Sequence, residues 1–249
     1  MPETSHRIAV LIDADNAPAS KIDAILAEVA TFGNAHVRRA YGDWTRGELK
    51  GWTAILQDYA IAPVQQFAYT KGKNASDMAL VIDAMDLLHA GTADGFAIVS
   101  SDADFTPLVM RLRQSGATVL GFGQEKTPDA FTNACSQFLY IDRVEAPDDD
   151  EDEDPRLPAR RMPRNELRQN ARLVQMLRTA VDAASDDDGW ANLGAVGNQI
   201  ANQSSFQPRN FGYAKWIGLI EEIDLFEVER SNNNAVTIRR KPTRRSGRK

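Results

Sequence analysis

The sequence predicts an α/β protein in which helices sandwich a parallel sheet, followed by a small winged-helix domain at the carboxyl end. Two observations favour the sheet. Apolar runs such as residues 8–12 contain no polar interruption, and they alternate with segments of helical apolar spacing. A third observation separates the domains, because an acidic stretch at residues 145–154 interrupts this pattern. With 249 residues and 43% apolar content, the chain can form more than one hydrophobic core.

The first domain, residues 1–144, is predicted to alternate strands with helices. The predicted strands, in chain order, are residues 8–12, 36–41, 63–69, 96–99, 118–122 and 138–141. The predicted helices are residues 18–32, 46–60, 76–89 and 105–114. Ser76 is the expected cap of the third helix, with Asp77 in its first turn, and Ser115-Gly116 ends the fourth.

The second half of the chain begins with a segment that lacks apolar periodicity. Residues 145–164 contain several prolines, an acidic block and a basic block, and predict a disordered linker. Helices are then predicted at 165–184, 190–201 and 211–223, and strands at 225–229 and 235–239 flank a turn with the sequence SNNN. Three helices and a hairpin are typical of a winged helix, here residues 165–240. Residues 241–249 predict a flexible basic tail.

Charge is distributed unevenly along the chain. Residues 1–144 carry a net charge of -5, residues 145–154 contain 8 acidic groups, and residues 155–249 carry 17 basic and 10 acidic groups, net +7. The basic part suits a polyanionic partner. No apolar run has the length of a membrane span or the form of a signal peptide, so we expect a cytoplasmic protein that does not bind membranes.

Cysteine and histidine are too few to form the common catalytic or metal centres. Cys135 is the single cysteine, which excludes an intrachain disulfide and a cysteine-based zinc site, and we expect it to be a small buried apolar residue. His6, His36 and His89 do not have the spacing of metal ligands. The chemistry of this chain is therefore expected to depend on carboxylates.

Two predicted strands end in the same acidic pattern. Asp13 and Asp15 follow the first strand, and Asp102 and Asp104 follow the fourth. In an open parallel sheet, ligands bind beyond the carboxyl ends of the strands where the strand order reverses, so the two pairs meet if these strands are neighbours. Asp77, at the start of a predicted helix, is a third contributor. The sequence therefore predicts that up to five carboxylates converge.

Carboxylates packed together raise one another's pKa unless a cation neutralises them. Oxygen ligands without cysteine or histidine select Mg²⁺ or Mn²⁺, and such ions promote phosphodiester hydrolysis. Asp15 is a weaker candidate than Asp13, because side-chain directions alternate along a strand. Asn16 either orients a water molecule or caps the following helix. Asp83 lies six residues beyond Asp77, off its helix face, and is expected to be solvated or only indirectly connected to the site.

Three segments together resemble a known family. IDADN at 12–16, KGKNASDMALVIDAM at 71–85 and SSDADFTPL at 100–108 resemble, in order and spacing, the three motifs of NYN domains, which are relatives of the PIN nucleases. The resemblance covers residues 6–143 and implies a PIN-like fold with metal-dependent endoribonuclease activity. The matching positions imply catalytic roles for Asp13, Asn16, Asp77, Asp102 and Asp104. The same resemblance implies that the four aspartates hold Mg²⁺ or Mn²⁺. The family usually has a glycine before its third-motif aspartate, where this chain has Ser101.

A second resemblance concerns the carboxyl-terminal part. Residues 206–229, FQPRNFGYAKWIGLIEEIDLFEVE, resemble the OST-HTH or LOTUS domain over residues 166–238, which implies RNA binding, or in some members a protein partner. Arg209 and Lys215 are expected to flank the start of the third helix, where phosphate is favoured, and Tyr213 is the aromatic residue expected to be exposed. Four other apolar residues are expected in the core: Phe206, Phe211, Trp216 and Leu219. Lys71 and Lys73 are the RNA-binding candidates of the first domain.

Three functions remain open at this point. The first is an endoribonuclease whose rear domain binds single-stranded or structured RNA. The second is an RNA-binding regulator with a weakly active or inactive nuclease-like domain. The third is a phosphatase of the haloacid dehalogenase type, suggested by Asp13 and Asp15 alone. Its expected Thr or Val is replaced by Ala17, and its lysine is missing from the expected place, because Lys71 and Lys73 precede Asp102 by a helix and a strand.

Overall fold

The computed structural model describes residues 6–67, 75–143, 161–230 and 235–241. These residues form two compact units, one containing the described residues up to 143 and the other those from 161 onward. Within these ranges, no helix combines the length and apolar character needed to cross a membrane.

The first unit is built on a six-stranded sheet. Its strands are β1 (Arg7–Asp13), β2 (Asn34–Gly42), β3 (Ala62–Gln65), β4 (Gly95–Val99), β5 (Thr118–Gly123) and β6 (Gln137–Tyr140). They lie in the order β3-β2-β1-β4-β5-β6, and every pairing between neighbours is parallel. The predicted α/β class is confirmed, and the two central strands are β1 and β4.

Helices cover both faces of this sheet. They are α1 (Ile22–Ala30), α2 (Lys50–Thr53), α3 (Ala75–His89), α4 (Thr106–Gln114) and α5 (Asp129–Ala134). The side chains of β1 alternate between two cores: Ile8, Val10 and Ile12 pack with α1 and α2, whereas Ala9 and Leu11 pack with α3, α4 and α5. Burial on both faces explains why β1 is a continuous apolar run in the sequence.

The buried thiol of this unit behaves as expected. Cys135 is buried, and its burial raises the pKa of the thiol to about 12. The thiol donates to the carbonyl of Phe131 at 3.4 Å. Because the nucleophilic form of cysteine is the thiolate, Cys135 is chemically inert at neutral pH and serves as a small apolar residue.

The predicted helix at 46–60 is wrong in length. Only a short 3-10 helix at Gly47–Leu49 and the four residues of α2 are helical, and turns continue to Ala60, whose φ is 51°. Two glycines, Gly47 and Gly51, weaken helix formation here. The apolar side chains of the segment still pack on the core, as the periodicity predicted. In contrast, α5 was not predicted, because its six residues are too few to establish a period.

The second unit combines helices with a small antiparallel sheet. Its elements are α6 (Arg164–Gln169), α7 (Ala171–Ala184), β7 (Ala191–Asn192), α8 (Leu193–Gln203), α9 (Trp216–Ile223), β8 (Phe226–Arg230) and β9 (Val236–Arg240). The strands lie in the order β7-β9-β8, and β8 pairs with β9 as the predicted hairpin requires. The SNNN turn, residues 231–234, lies outside the described residues.

Three helix predictions in the second unit require correction. The helix predicted at 165–184 is divided at Asn170, whose side chain accepts from the amide of Leu173 at 3.0 Å and caps α7. Asn192 likewise caps α8, so that β7 precedes a helix that starts later than predicted. The third helix starts at Trp216 instead of 211, because Gly212 takes a left-handed conformation with φ 87° and ends the 3-10 helix Pro208–Phe211.

The predicted linker and tail lie mostly outside the described residues. The structure describes only the end of the predicted linker: α6 begins at Arg164, and the amide of Met162 donates to the carbonyl of Phe211 at 3.0 Å. At the start of the tail, Lys241 forms an ion pair with Asp224.

Candidate active site at the carboxyl edge of the sheet

The candidate site lies where the two central strands end. β1 and β4 are parallel neighbours, with Ile12 opposite Val99. Asp13 is the last residue of β1, and Ser100 directly follows β4. From β1, the chain first adds β2 and β3 on one side of it and then β4, β5 and β6 on the other. The carboxyl edge between β1 and β4 is therefore the point where strand order reverses. The condition set by the sequence, that these two strands are adjacent, is met.

Asp13 is the deepest acidic residue of the site. It is 1% exposed, and its Oδ2 accepts from Asn16 Nδ2 at 2.7 Å and from Ser100 Oγ at 2.8 Å. Its other oxygen, Oδ1, is buried and has no hydrogen-bond partner among the residues that the structure describes. Burial raises the pKa of Asp13, while the bonds from Asn16 and Ser100 lower it. A buried carboxylate oxygen without a partner is costly unless a cation occupies the adjacent space.

Ser100 also fixes the turn that carries the third motif. Its Oγ accepts from the amide of Asp102 at 3.1 Å while donating to Asp13. Asp102 Oδ1 in turn accepts from the amide of Asp104 at 2.9 Å and caps the 3-10 helix Ala103–Phe105. A single hydroxyl therefore connects the acidic residues that follow β1 and β4.

The pKa of Asp77 reflects the charges of the whole acidic cluster. It is half-buried in the first turn of α3. Burial, followed by the charges of Asp13, Asp102, Asp15 and Asp104, raises the pKa of Asp77 to about 6. Four further carboxylates therefore lie close enough to act on it. Burial and this repulsion shift the pKa of Asp77 upward, the direction expected from the sequence for carboxylates packed together.

Asp15 and Asn16 complete the cluster. Asp15 is exposed, and its Oδ2 accepts from Ser76 Oγ at 3.2 Å. Ser76 therefore contacts the acidic cluster instead of capping α3, which already begins at Ala75. Asn16 bonds to Asp13, and the helical turn that follows has no side-chain cap. Of the two roles considered for Asn16, helix capping is excluded.

The acidic cluster suits a hard divalent cation with few direct protein ligands. Among the described residues, no three carboxylate or histidine side chains are arranged as a ready-made ligand cage. Mg²⁺ usually retains several waters and takes only one or two carboxylates, so such a cage is not required. The unpartnered Oδ1 of Asp13 and the oxygen-only composition of the cluster fit this ion. Asp13, Asp77, Asp102 and Asp104 are the residues that would hold it.

Gly123, beside the turn that follows β4, has no side chain, and the backbone there borders the site. Gly123 ends β5, and a Cβ at this position would lie 2.7 Å from the carbonyl oxygen of Ser100 and 2.7 Å from Thr127 Oγ1. Beside it, the amide of Gln124 donates to Ser101 Oγ at 2.8 Å. Ser101, at the position where the family usually has glycine, thus forms a hydrogen bond that a glycine has no side chain to form.

Asp83 is partly buried and connected to the acidic cluster only indirectly, which is the second of the two alternatives expected from the sequence. Arg39 and the hydroxyl of Tyr41 both donate to its carboxylate. Tyr41 is fully buried and pairs in register with Asp13, and burial together with the bond to Asp83 raises the pKa of its phenol. This network holds α3, which carries Asp77, against β2. Sequence could not reveal it, because the three residues share no local pattern.

The RNA-binding candidates have mixed outcomes. Lys71 and Lys73 lie outside the described residues. Tyr213 was expected to be exposed, which is wrong: it is 6% exposed, and its hydroxyl donates to the carbonyl of Met162 at 2.8 Å. Lys215 is exposed and directly precedes α9, as expected, whereas Arg209 is partly buried in the separate 3-10 helix.

The apolar residues of this unit divide into two groups. Phe211 and Leu219 are buried in the core, as predicted. Phe206 and Trp216 are only partly buried and pack against that core from outside.

The fold and site together define a class of protein. A parallel sheet sandwiched by helices, with acidic residues converging beyond its two central strands, is PIN-like. The NYN domain family model matches residues 7–142, and the chain belongs to the NYN domain family of PIN-like nuclease domains. The OST-HTH/LOTUS domain, an RNA-binding module, matches residues 168–237. Membership of the NYN family decides against a haloacid dehalogenase-type phosphatase.

Individual relatives are distant. An uncharacterized protein of Methanocaldococcus jannaschii, MJ0482, is 26% identical over 130 residues, which is 48% of this chain and 48% of that relative. The match thus spans about half the length of each protein. A crystal structure of a protein of unknown function from Vibrio parahaemolyticus, VPA0982, superposes with a TM-score of 0.46 and 18% identity, covering 57% of this chain and 96% of that one.

Proposed function

We propose that this chain is an Mg²⁺- or Mn²⁺-dependent endoribonuclease whose carboxyl-terminal unit binds the RNA substrate. The observation that carries the proposal is the buried Oδ1 of Asp13, for which the described residues provide no hydrogen-bond partner, beside four other carboxylates. An edge of this charge repels the phosphates of RNA, so a bound cation is needed before RNA can approach it. The acidic cluster and a polyanionic substrate are compatible only through that cation.

Each residue has a defined task in this proposal. Asp13, Asp77, Asp102 and Asp104 hold the cation. Asn16 and Ser100 hold Asp13 in place through its Oδ2, which leaves Oδ1 available to a cation that these residues would hold. A divalent ion supplies the Lewis acidity that activates water and stabilises charge on the phosphoryl group in an in-line displacement. The half-buried position of Asp77 limits solvent screening, which strengthens these electrostatic interactions.

The second unit supports RNA as the substrate. Residues 155–249 carry a net charge of +7, and a polyanion neutralised by lysine and arginine binds with an affinity that falls as salt rises. Tethering this unit to the first raises the local concentration of RNA around the acidic edge.

The deciding experiment uses the full chain and a circular single-stranded RNA. A circle has no ends, so only an endonuclease opens it. We expect wild type to linearise the circle with Mg²⁺ or Mn²⁺ and not with EDTA, and Asp102→Asn to be slower by about 100-fold or more, since an oriented metal ligand is lost. Asp86→Asn, an exposed aspartate on α3 remote from the cluster, is the matched control and keeps wild-type activity. Equal cleavage by wild type and Asp102→Asn contradicts the assigned site.

A second candidate function is an RNA-binding regulator with a weakly active or inactive nuclease-like unit. The observation in its favour is that the described carboxylates do not form a closed ligand cage. The same experiment separates the candidates. RNA binding without cleavage in either metal supports the regulator, whereas metal-dependent opening of the circle supports the nuclease.

A further inference from the structure

The second unit contains a groove that the proposed function does not use. Its volume is about 570 Å³, and it lies between α8, α9 and the start of β9. Pockets that hold small organic groups usually have volumes of about 300–1,000 Å³. The groove is therefore large enough for a flat aromatic ligand.

Small residues on α8 keep the groove open. Gly194, Gly197 and Ala201 lie on the groove side of this helix. A Cβ at Gly197 would lie 3.4 Å from Cδ1 and 3.6 Å from Nε1 of Trp216. The absence of larger side chains leaves the indole of Trp216 partly uncovered. Phe206 forms an apolar wall on the other side of the groove. Its ring stacks on Phe211, with 5.9 Å between the ring centroids.

The polar groups around the groove are available to a ligand. Asn198 and Gln207 contribute amide side chains, Lys215 an ammonium group and Trp216 an indole N–H. Within the part of the chain that the structure describes, none of these four side chains takes part in a hydrogen bond or an ion pair. The side chains of Asn170 and Asn192, in contrast, serve as helix caps and are not available to a ligand.

We propose that this groove binds one unstacked base of single-stranded RNA, with the base against Trp216 and its polar edge facing Asn198 and Gln207. Amides present both donors and acceptors, as base edges do, and single-stranded RNA is read through splayed bases that stack on aromatic side chains. Lys215, exposed at the rim, meets the adjoining phosphate. The inference rests on the proposed RNA binding of this unit and assigns its location.

The same features argue against other occupants. An apolar peptide helix would bury the free amides and the ammonium group without partners, which costs binding energy. Duplex RNA keeps its bases stacked and cannot place one in the groove. The cation at the rim and the net positive charge of residues 155–249 complement a phosphate backbone.

The test measures binding of the full chain to labelled RNA in EDTA, which prevents metal-dependent cleavage. The probes are a short single-stranded RNA and an abasic ribose-phosphate oligomer of equal length and charge. We expect wild type to bind the RNA about tenfold more tightly than the abasic oligomer, because only the RNA has a base that can stack on Trp216 and form hydrogen bonds with Asn198 and Gln207. The double variant Asn198→Ala with Gln207→Ala keeps Trp216 and loses the hydrogen bonds to the base edge, so it is expected to lose part of this preference. Affinity for the abasic oligomer stays unchanged.

A matched control lies on the same helix. Asn202→Ala with Gln203→Ala removes one exposed asparagine and one exposed glutamine of α8 that do not line the groove, and is expected to keep the preference for bases. Ala201→Leu, which narrows the groove without removing a polar group, is expected to reduce the preference and provides a second variant if the first does not fold. Circular dichroism checks the fold of each.

Each outcome of this test decides a stated part of the proposal. RNA binding that both groove variants leave unchanged overturns the groove assignment, while the proposed nuclease and its RNA-binding unit stand. Equal binding of RNA and the abasic oligomer by wild type also overturns it. Absence of RNA binding at low salt overturns both the groove and the RNA-binding role of the unit, and the circular-RNA assay then decides the nuclease separately.

Discussion

The hydroxyl of Ser100 donates a 2.8 Å hydrogen bond to Oδ2 of Asp13, 87 residues earlier in the chain. The same hydroxyl accepts from the amide of Asp102 at 3.1 Å. One small side chain thus sets the position of a buried carboxylate and of the turn that carries the next acidic pair. The relationship makes Ser100 a positioning residue for the proposed metal site.

Ser100→Ala is predicted to slow metal-dependent RNA cleavage by about tenfold to 100-fold, since the partners of a metal ligand usually have effects of this size. It removes a hydrogen bond that lowers the pKa of Asp13, so that more Mg²⁺ or Mn²⁺ is needed for half-maximal rate. Titration of the metal in the cleavage assay measures this shift. Ser101→Gly, which restores the family's usual residue, is the control and keeps the wild-type metal requirement. If Ser100→Ala and Ser101→Gly need the same metal concentration for half-maximal rate, Ser100 does not position the metal site.

Asp77→Asn is predicted to stabilise the metal-free protein at neutral pH. The pKa of Asp77 in the folded protein is raised to about 6. Because it lies above the ordinary value of about 3.9, its ionisation opposes folding: the penalty is absent below about pH 4, grows as pH rises, and is complete above about pH 6. Asp77 is half-buried, so after allowance for solvent screening we expect a gain of about 1 kcal/mol near pH 7.

Thermal unfolding with EDTA, followed between about pH 4.5 and pH 7.5, measures this effect. The stability advantage of Asp77→Asn should shrink toward the acid end, and Asp86→Asn should show no such trend. Adding Mn²⁺ should raise the melting temperature of wild type more than that of Asp77→Asn, because the cation removes the repulsion. A pH-independent difference would contradict the raised pKa.

Loss of the Asp83 carboxylate is predicted to destabilise the first unit. Asp83→Ala leaves Arg39 and the buried hydroxyl of Tyr41 without their shared acceptor, at a cost of about 2 kcal/mol. Tyr41→Phe removes only one donor and should cost about 1 kcal/mol. Urea unfolding measures both, and Asp86→Ala on the same helix should stay within about 0.5 kcal/mol of wild type. An Asp83→Ala variant with the wild-type free energy of unfolding would show that the network does not hold α3 in place.

Tyr213→Phe separates a structural tyrosine from a base-binding one. Tyr213 is buried, and burial raises the pKa of its phenol. The variant loses the hydrogen bond to the carbonyl of Met162 and should lower the stability of the second unit by about 1 kcal/mol. Its affinity for RNA in EDTA should equal that of wild type. Weaker RNA binding by a fully folded Tyr213→Phe would reinstate Tyr213 as a contact residue.

The strand ends could be predicted from the sequence because their geometry is local and repetitive. Uninterrupted apolar runs identified β1 and β4, and parallel strands bring their carboxyl ends to one edge, so Asp13 and Asp102 were expected to meet. The convergence with Asp77 followed from its place at the start of α3. The fold class and the acidic cluster thus required only periodicity and the direction of the strands.

The errors arise where one side chain overrides a pattern. Asn170 divides α6 from α7 although apolar residues continue on both sides, because a capping side chain leaves no periodic signal. Tyr213 packs in the core of the second unit and bonds to a residue 51 positions away, neither of which its local sequence indicates. Ser100 and Asp83 have roles fixed by partners on distant strands, and neither lies in a spacing that predicts those partners.

The bare backbone at Gly123 has a consequence for how this protein tolerates change. The residue provides no group to the chemistry, yet even a methyl at this position would push on the carbonyl of Ser100. A substitution scan scored by catalysis would therefore place position 123 among the inactivating sites, beside the aspartates. Its intolerance reflects the space that the neighbouring turn occupies, so a loss of function there identifies a wall of the site and not a participant in the reaction.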